Sequence, residues 1–335
     1  MYEPSIDPKA EMASEDQIQL ELNRKALRKE RITMILPFVG IVLLFVFFSI
    51  VSKGKFIEMA NIRLLLNQCF NMVIIMVGAV FLYSLGKLDM AIGSVLAVSS
   101  LVLTLLYNRN VPLIFCVLVG IIVAIIAMNI TASAKNYLRL DPFIASLCVS
   151  NICSGIVVAV TKQGKVTFPY SKAPWLTNPE VMVIVLVVLF AVGYMLYNYT
   201  SFGKSLKAIG GNPTVARISG IKVEMVTHLA YIAIGVTIGI AALFTVARSG
   251  EVDPSVGSSM NLNILIAIVL GGFPLSGGAN ARFSAPIIGA MMVTVLTNGL
   301  AMIGQANALG YAIKGALFII VIALTYEKSN GKLVN

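Results

Sequence analysis

Charge, histidine and tryptophan are what this sequence is short of. Of its 335 residues only 12% are Asp, Glu, Lys or Arg, and there is one His and one Trp. A soluble domain carries about 25% charged and about 45–50% apolar residues. So low a charged fraction beside 58% hydrophobic residues excludes an ordinary water-soluble globule. A single His leaves no histidine metal cluster, and a single Trp no aromatic cage. The four cysteines (Cys69, Cys116, Cys148, Cys153) lie inside apolar runs without CxxC spacing, and read as small buried hydrophobes rather than disulfides or ligands. Carboxylates are nearly missing from the same runs. Proton- or sodium-coupled carriers ordinarily need them there, which weighs against an ion-driven carrier. No cleavable signal peptide is expected, because the first 31 residues are highly charged and the apolar run after them is long enough to stay in a membrane.

What is present is hydrophobicity in blocks. A spanning helix needs about 20 apolar residues to cross about 30 Å of hydrocarbon. Such runs fall near 32–51, 67–85, 90–107, 111–131, 143–160, 181–198, 226–247, 261–272, 283–303 and 310–326. The expected fold is an all-α integral membrane protein of about ten transmembrane helices, some short or broken. The eighth run is too short for a plain crossing, so it is either a half-helix or continuous with the polar turn after it. The net charge of +10 would suit a nucleic acid, but Lys and Arg sit in tails and short loops, the pattern by which membrane proteins set their orientation. With both termini cytoplasmic, the inner segments from Arg24 onward hold 15 Lys and Arg against 8 outside. The organisation expected is a cytoplasmic tail at 1–31, a membrane domain at 32–327 and a cytoplasmic tail at 328–335, in the cell membrane.

The inner loop 199–225 carries the most information. Gly210 and Gly211 end one short helical piece; Asn212 is placed to cap a second, with Pro213 at its first position. Such a helix outside the bilayer, with small residues and scattered cations, suits a partner's grip; the plainer reading is a loop of stop-transfer charges. Gly203-Lys204-Ser205 resembles the end of a phosphate loop, but position 198 is Asn and no strand precedes it, so the chain has no nucleotide site of its own. Glycine breaks also mark Leu85 to Ser94 and Gly271 to Gly278, and interrupted apolar segments point to transporter pathways. Asp89 lies in the first break near Lys87, either as an intramembrane functional group or as a hydrated interfacial turn. Candidate pathway residues are Asn67, Asn71, Asp89, Ser146, Asn151, Gly271, Gly272, Ser276 and Asn298. Ser99, Ser100, Thr104 and Ser150 are of the same kind. Uncharged polar groups of this sort either meet a hydroxylated solute or bind helices together. His228 near the inner end of the seventh run has no partner evident in sequence, which leaves little for a membrane enzyme.

At these motifs the sequence resembles the permease subunits of ABC importers for simple sugars, the ribose/galactose/xylose type with relatives handling nucleosides and signalling sugars. The resemblance runs from about 32 to 327. Its most specific piece is Phe202-Gly203-Lys204, through Ala208-Ile209-Gly210-Gly211-Asn212, to Ala216-Arg217-Ile218-Ser219-Gly220-Ile221. Pro142-Phe143-Ile144, Leu270-Gly271-Gly272, Ser276-Gly277-Gly278, Asn298-Gly299-Leu300 and Lys314-Gly315 support it. There are departures. Lys87 and Ala91 replace a glycine and a serine of the usual Gly-Gly-Ile-Asp-Leu-Ser-Val-Gly, Asn261-Leu262 stands for the usual Glu-Leu, and Pro274 is an addition. The resemblance implies a non-enzymatic permease paired with a second copy or close relative and driven by two cytoplasmic ATPases that bind ATP and magnesium. An extracellular or periplasmic binding protein would deliver the sugar; this chain itself would bind no cofactor and no metal. It implies that Gly203, Lys204, Leu206, Ala208, Ile209, Gly210, Asn212, Ala216, Arg217 and Gly220 form the ATPase-coupling segment. A nucleoside or signalling sugar as cargo, or a self-contained ion-coupled carrier, are the alternatives.

Overall fold

In the computed structural model of the chain the described residues are 37–319, apart from 139, 170, 172, 259, 305–309, 311, 317 and 318. The two tails, the start of the first apolar run and most of the tenth lie outside them, as do Arg139 and Lys172 of the charge comparison. Among the described residues the long elements are all helices: α1 (Pro37–Val51), α2 (Met59–Tyr83), α3 (Ile92–Asn108), α4 (Leu113–Leu138), α5 (Pro142–Thr161) and α6 (Pro179–Tyr199), then α7 (Ser201–Gly211), α8 (Pro213–Ile218), α9 (Val223–Ser249), α10 (Met260–Leu270) and α11 (Ser284–Met302). Two two-residue strands, β1 (Val166–Thr167) and β2 (Glu251–Val252), pair antiparallel at the end of the bundle opposite α7. Six helices, α2, α4, α5, α6, α9 and α11, are long and apolar enough to cross a membrane. The first nine apolar runs read from the sequence each fall on one of these helices, the tenth lies mostly outside the described residues, and the eighth is the short α10. With 11 residues α10 is about 16 Å long, near half the hydrocarbon thickness.

Local chemistry sets the helix ends. Asp141 accepts from the Phe143 N–H at 2.8 Å with Pro142 at the first position of α5. Pro179 likewise takes the first position of α6, there without a capping side chain. Gly250, at φ +70°, closes α9 with its N–H on Val246 O. The helices then divide by burial. Most of α2, α9 and α11 is buried, whereas α4, α5 and above all α6 leave long apolar faces exposed. Residues such as Ile114, Ile122, Val183, Ile184 and Val187 cover those faces and suit lipid.

Between apolar helices in lipid, close backbone approach drives packing. Gly235 and Gly239 of α9 lie one helical turn apart against α4. A methyl group on either would stand 2.7 or 2.5 Å from the Cα of Ile125 or Ile121. Hydroxyls add glue. Ser94 Oγ of α3 lies 2.8 Å from Ser150 Oγ and accepts from Ser154 Oγ at 3.0 Å, and Ser99 Oγ donates to Gly120 O at 2.9 Å. These serines hold helices together. His228, for which the sequence offered no partner, has one: its Nδ1 is 2.9 Å from Asn129 Oδ1 on α4. At the end opposite α7, Phe168 stacks on Tyr107 with centroids 5.0 Å apart. Lys165 hydrogen-bonds Glu251 at 2.6 Å, which holds its ammonium above the ordinary lysine value. Replacing Gly239 with Val should push α4 and α9 apart and cost about 1–3 kcal/mol, seen as a lower unfolding temperature of the detergent-purified chain. An unchanged temperature would show that the two backbones are not packed this closely.

Candidate functional site

The loop singled out by sequence forms the two helices expected of it. Thr200 caps α7 by accepting from Gly203 N–H at 3.4 Å, and Asn212 Oδ1 caps α8 by accepting from Thr214 and Val215 N–H at 3.0 and 3.1 Å. The ten candidate coupling residues separate into two sides. Gly203, Leu206, Ile209 and Ala216 are buried and Gly210 half-buried, so this side packs onto the bundle. Lys204, Ala208, Asn212, Arg217 and Gly220 face outward. Sequence reasoning missed Val215 and Ile218, which are 56% and 82% exposed on α8. These two large exposed apolar side chains flank the Arg217 cation. Arg217 itself is engaged within the chain, in an ion pair with Glu224 at the start of α9.

The inward side of α7 meets both glycine breaks at one point. A methyl group on Gly210 would sit 2.0 Å from Ser84 O, just past α2, and 2.5 Å from the Gly278 nitrogen. Gly278 N–H donates to that same Ser84 O at 3.1 Å. On Gly86 a methyl group would lie 2.3 Å from Ser276 O, and on Gly277 it would lie 2.3 Å from Ser84 O. Gly86, Gly277 and Gly278 have φ of +66°, +68° and +90°, which only glycine adopts without strain. Three backbones therefore touch with no side chains between them. Around them Tyr197, fully buried at the end of α6, places its hydroxyl 2.8 Å from Ser84 Oγ and 3.0 Å from Ala281 O. Lys207 lies over the Tyr197 ring at 4.5 Å, and Phe81 stacks on Phe202 of α7 at 5.6 Å.

From this junction the chain runs unwound through residues 85–91 to the start of α3, and side chains satisfy its backbone. Asp89 is 1% exposed, so it is no hydrated turn. Its Oδ1 accepts from Ala91 N–H at 2.7 Å, Tyr83 donates to its carbonyl at 3.2 Å, and Tyr231 of α9 faces the carboxylate. Ser146 of α5 accepts from Met90 N–H at 3.0 Å. Asn261, at the start of α10, accepts from Gly93 N–H at 2.7 Å and donates to Met90 O at 2.6 Å. Gly271 packs on Ala285 O of α11, and Gly272, at φ +74°, turns the chain after α10 toward Ser276.

Asp89, Ser146, Gly271, Gly272 and Ser276 thus belong to one connected region. The other candidates do not. Asn67 and Asn71 line a cavity of about 20 Å³, room for one water, with Thr177, Phe244 and Arg248, and Asn71 donates to Thr245 Oγ1 at 3.1 Å. Asn298 is buried in α11, one residue before the close approach of Gly299 to the Phe48 ring. Asn151 is exposed on the outer face of α5, where Cys148 is also exposed and Gly155 has open space. Among the described residues there is no cluster of His, Cys, Asp or Glu that could hold a metal. Ser84, Tyr197, Gly277 and Asn261 had no place among the sequence candidates, although Gly277 and Asn261 stood in motifs already noticed.

The sequence model of the family described as "Branched-chain amino acid transport system / permease component" matches residues 61–322. The ribose import permease protein of Bacillus subtilis (strain 168) is 29% identical over 93% of this chain and 98% of its own length. The D-allose transport system permease protein of Escherichia coli (strain K12) is 26% identical over 83% and 86%. A xylose transport system permease protein from Haemophilus influenzae is 38% identical over 45% of this chain and 39% of its own.

Changing Tyr197 to Phe removes the hydroxyl that Ser84 and Ala281 share. It should lower stability by about 1–3 kcal/mol through the buried carbonyl left unpaired, measured as a fall in unfolding temperature. No fall would mean that the hydroxyl does not tie the junction.

Proposed function

The chain belongs to the family described as branched-chain amino acid transport system permease components, and from that premise we propose that it is the permease subunit of an ATP-driven importer for a monosaccharide. It is a transport subunit and catalyses no covalent change. The named relatives, a ribose, an allose and a xylose permease, supply the class of cargo. Two cytoplasmic ATPase domains carry ATP and magnesium; this chain carries no cofactor. An extracellular or periplasmic sugar-binding protein delivers the solute. Residues 32–327 form the membrane domain between cytoplasmic tails at 1–31 and 328–335, and the loop 199–225 faces the ATPases.

The observation that carries this reading is the contact of Gly210 with Ser84 and Gly278. α8 presents Val215, Arg217 and Ile218 to the outside, and α7, joined to it at Asn212, touches through Gly210 the two places where membrane helices are broken. A push on α7 therefore reaches the interrupted segments by direct backbone contact. Rigid-body displacement of one packed element against another is a standard means of switching. The pathway itself is assigned to the interface with a second copy or close relative. Asn151, Cys148 and Gly155 occupy one face of α5, and an exposed carboxamide on a spanning helix is disfavoured against lipid but suited to a hydroxylated solute.

The test is uptake of labelled ribose, allose and xylose into vesicles holding the chain with and without its ATPase and binding protein. Uptake should need all three and ATP. Uptake by the chain alone, driven by an ion gradient, would overturn the reading. Replacing Gly210 with Val should leave ATP hydrolysis running while sugar taken up per ATP falls about tenfold or more, because a side chain there must displace Ser84 and Gly278.

A further inference from the structure

The unwound segment before α3 is fastened to the chain around α10 in two places. Nearer α7, Gly278 N–H donates to Ser84 O, and Gly86 lies against Ser276 O. At the other end stands Asn261, which uses both ends of its carboxamide on that segment: Nδ2 donates to Met90 O at 2.6 Å, and Oδ1 accepts from Gly93 N–H at 2.7 Å. The backbones meet here as closely as at the junction. A methyl group on Gly93 would stand 2.2 Å from Gly257 O, and one on Gly257 would stand 2.0 Å from Gly93 O.

We propose that Asn261 is a positioning residue whose carboxamide joins the start of α10 to the start of α3, so that residues 84–93 and 257–278 move as one body when α7 is displaced. This rests on the reading of α7 as the coupling helix. The chemistry selects the residue type. The segment offers one acceptor and one donor side by side, and a carboxamide serves both without a proton. An ionised carboxylate would still accept from Gly93 but would set a lone pair against the Met90 carbonyl. Protonation would return the missing donor. Asn261 is half-buried, so a carboxyl in its place could exchange protons with water.

The titratable groups on the surrounding elements are Asp89 on the unwound segment, with Tyr83 and Tyr231 about it, and Asp253 before α10, engaged by the Ser255 N–H and Oγ. Lys314 also belongs to this group, through its bond to Asn263 at 3.1 Å. All are shared by wild type and variant, so the wild-type pH profile is their control.

The experiment uses the full permease with its ATPase and binding protein in vesicles. It reads the best-transported of ribose, allose and xylose per ATP hydrolysed, for wild type and Asn261→Asp, from about pH 8 to about pH 5. The variant should run about tenfold below wild type at the alkaline end and rise toward it on acidification, a profile a merely structural residue would not give. A variant that follows wild type at every pH, or stays low at every pH, overturns the proposal. If Asn261→Asp does not accumulate, Asn261→Ser takes its place, since its hydroxyl is too short to reach both partners. A reduced ratio with hydrolysis preserved supports the bracket, and a wild-type ratio overturns it. Failure of the underlying reading would look different, because wild-type uptake would then not depend on ATP at all.

Discussion

Backbone that leaves the helix inside an apolar bundle must find its hydrogen bonds within the protein, because lipid supplies none. The interruption before α3 depends on that constraint, and side chains meet it. Asp89, Ser146 and Asn261 take the exposed N–H groups of Ala91, Met90 and Gly93, and Asn261 also takes the Met90 carbonyl. Two other helices, α5 and α10, thus converge on one unwound stretch, and Asp89 braces it from within. A stretch held in this way is a defined structure, with bonds from α5 as well as from α10.

The same economy governs the junction with α7. Lys87 separates the glycine break from its usual family form, but Gly86 keeps the positive φ and the contact with Ser276 that the junction needs. Where glycines on three segments meet, force passes between main chains and not through flexible side chains. The aromatic surroundings, Phe81, Phe202, Tyr197 and Phe283, stiffen the site further, since Phe283 packs on both Phe81 and Tyr197. Ala91 in place of the usual serine leaves α3 without a capping side chain of its own, and Asn261 Oδ1 accepts from the Gly93 N–H that such a cap would serve.

Much of this was legible in the sequence. The apolar runs located the long described helices, the length of 261–272 excluded a plain crossing and left a half-helix as one of two readings, and Asn212-Pro213 fixed the cap of α8 because capping is local chemistry. Burial on α7 was not legible, since Leu206 and Lys207 turn inward or outward according to what lies beneath. The role of Asn261 was hidden for the same reason: its partners, Met90 and Gly93, are 171 and 168 residues away. The polar residues inside the spans could not be sorted by type alone. Ser150 binds Ser94, Ser146 binds the break, and Asn151, one residue on from Ser150, faces outward. Only the rotation of α5 separates the three.

The central claim is that α7, the unwound segment and α10 form one mechanical unit. It is tested most directly by spin-label distances through the ATPase cycle. One label goes on Ala208 of α7, one on Ser258 before α10 and one on Cys148 of α5, all at exposed positions. The distance from Ala208 to Ser258 should stay fixed between the nucleotide-free and ATP-bound states, while both positions move relative to Cys148. A change between Ala208 and Ser258 as large as either change to Cys148 would contradict it.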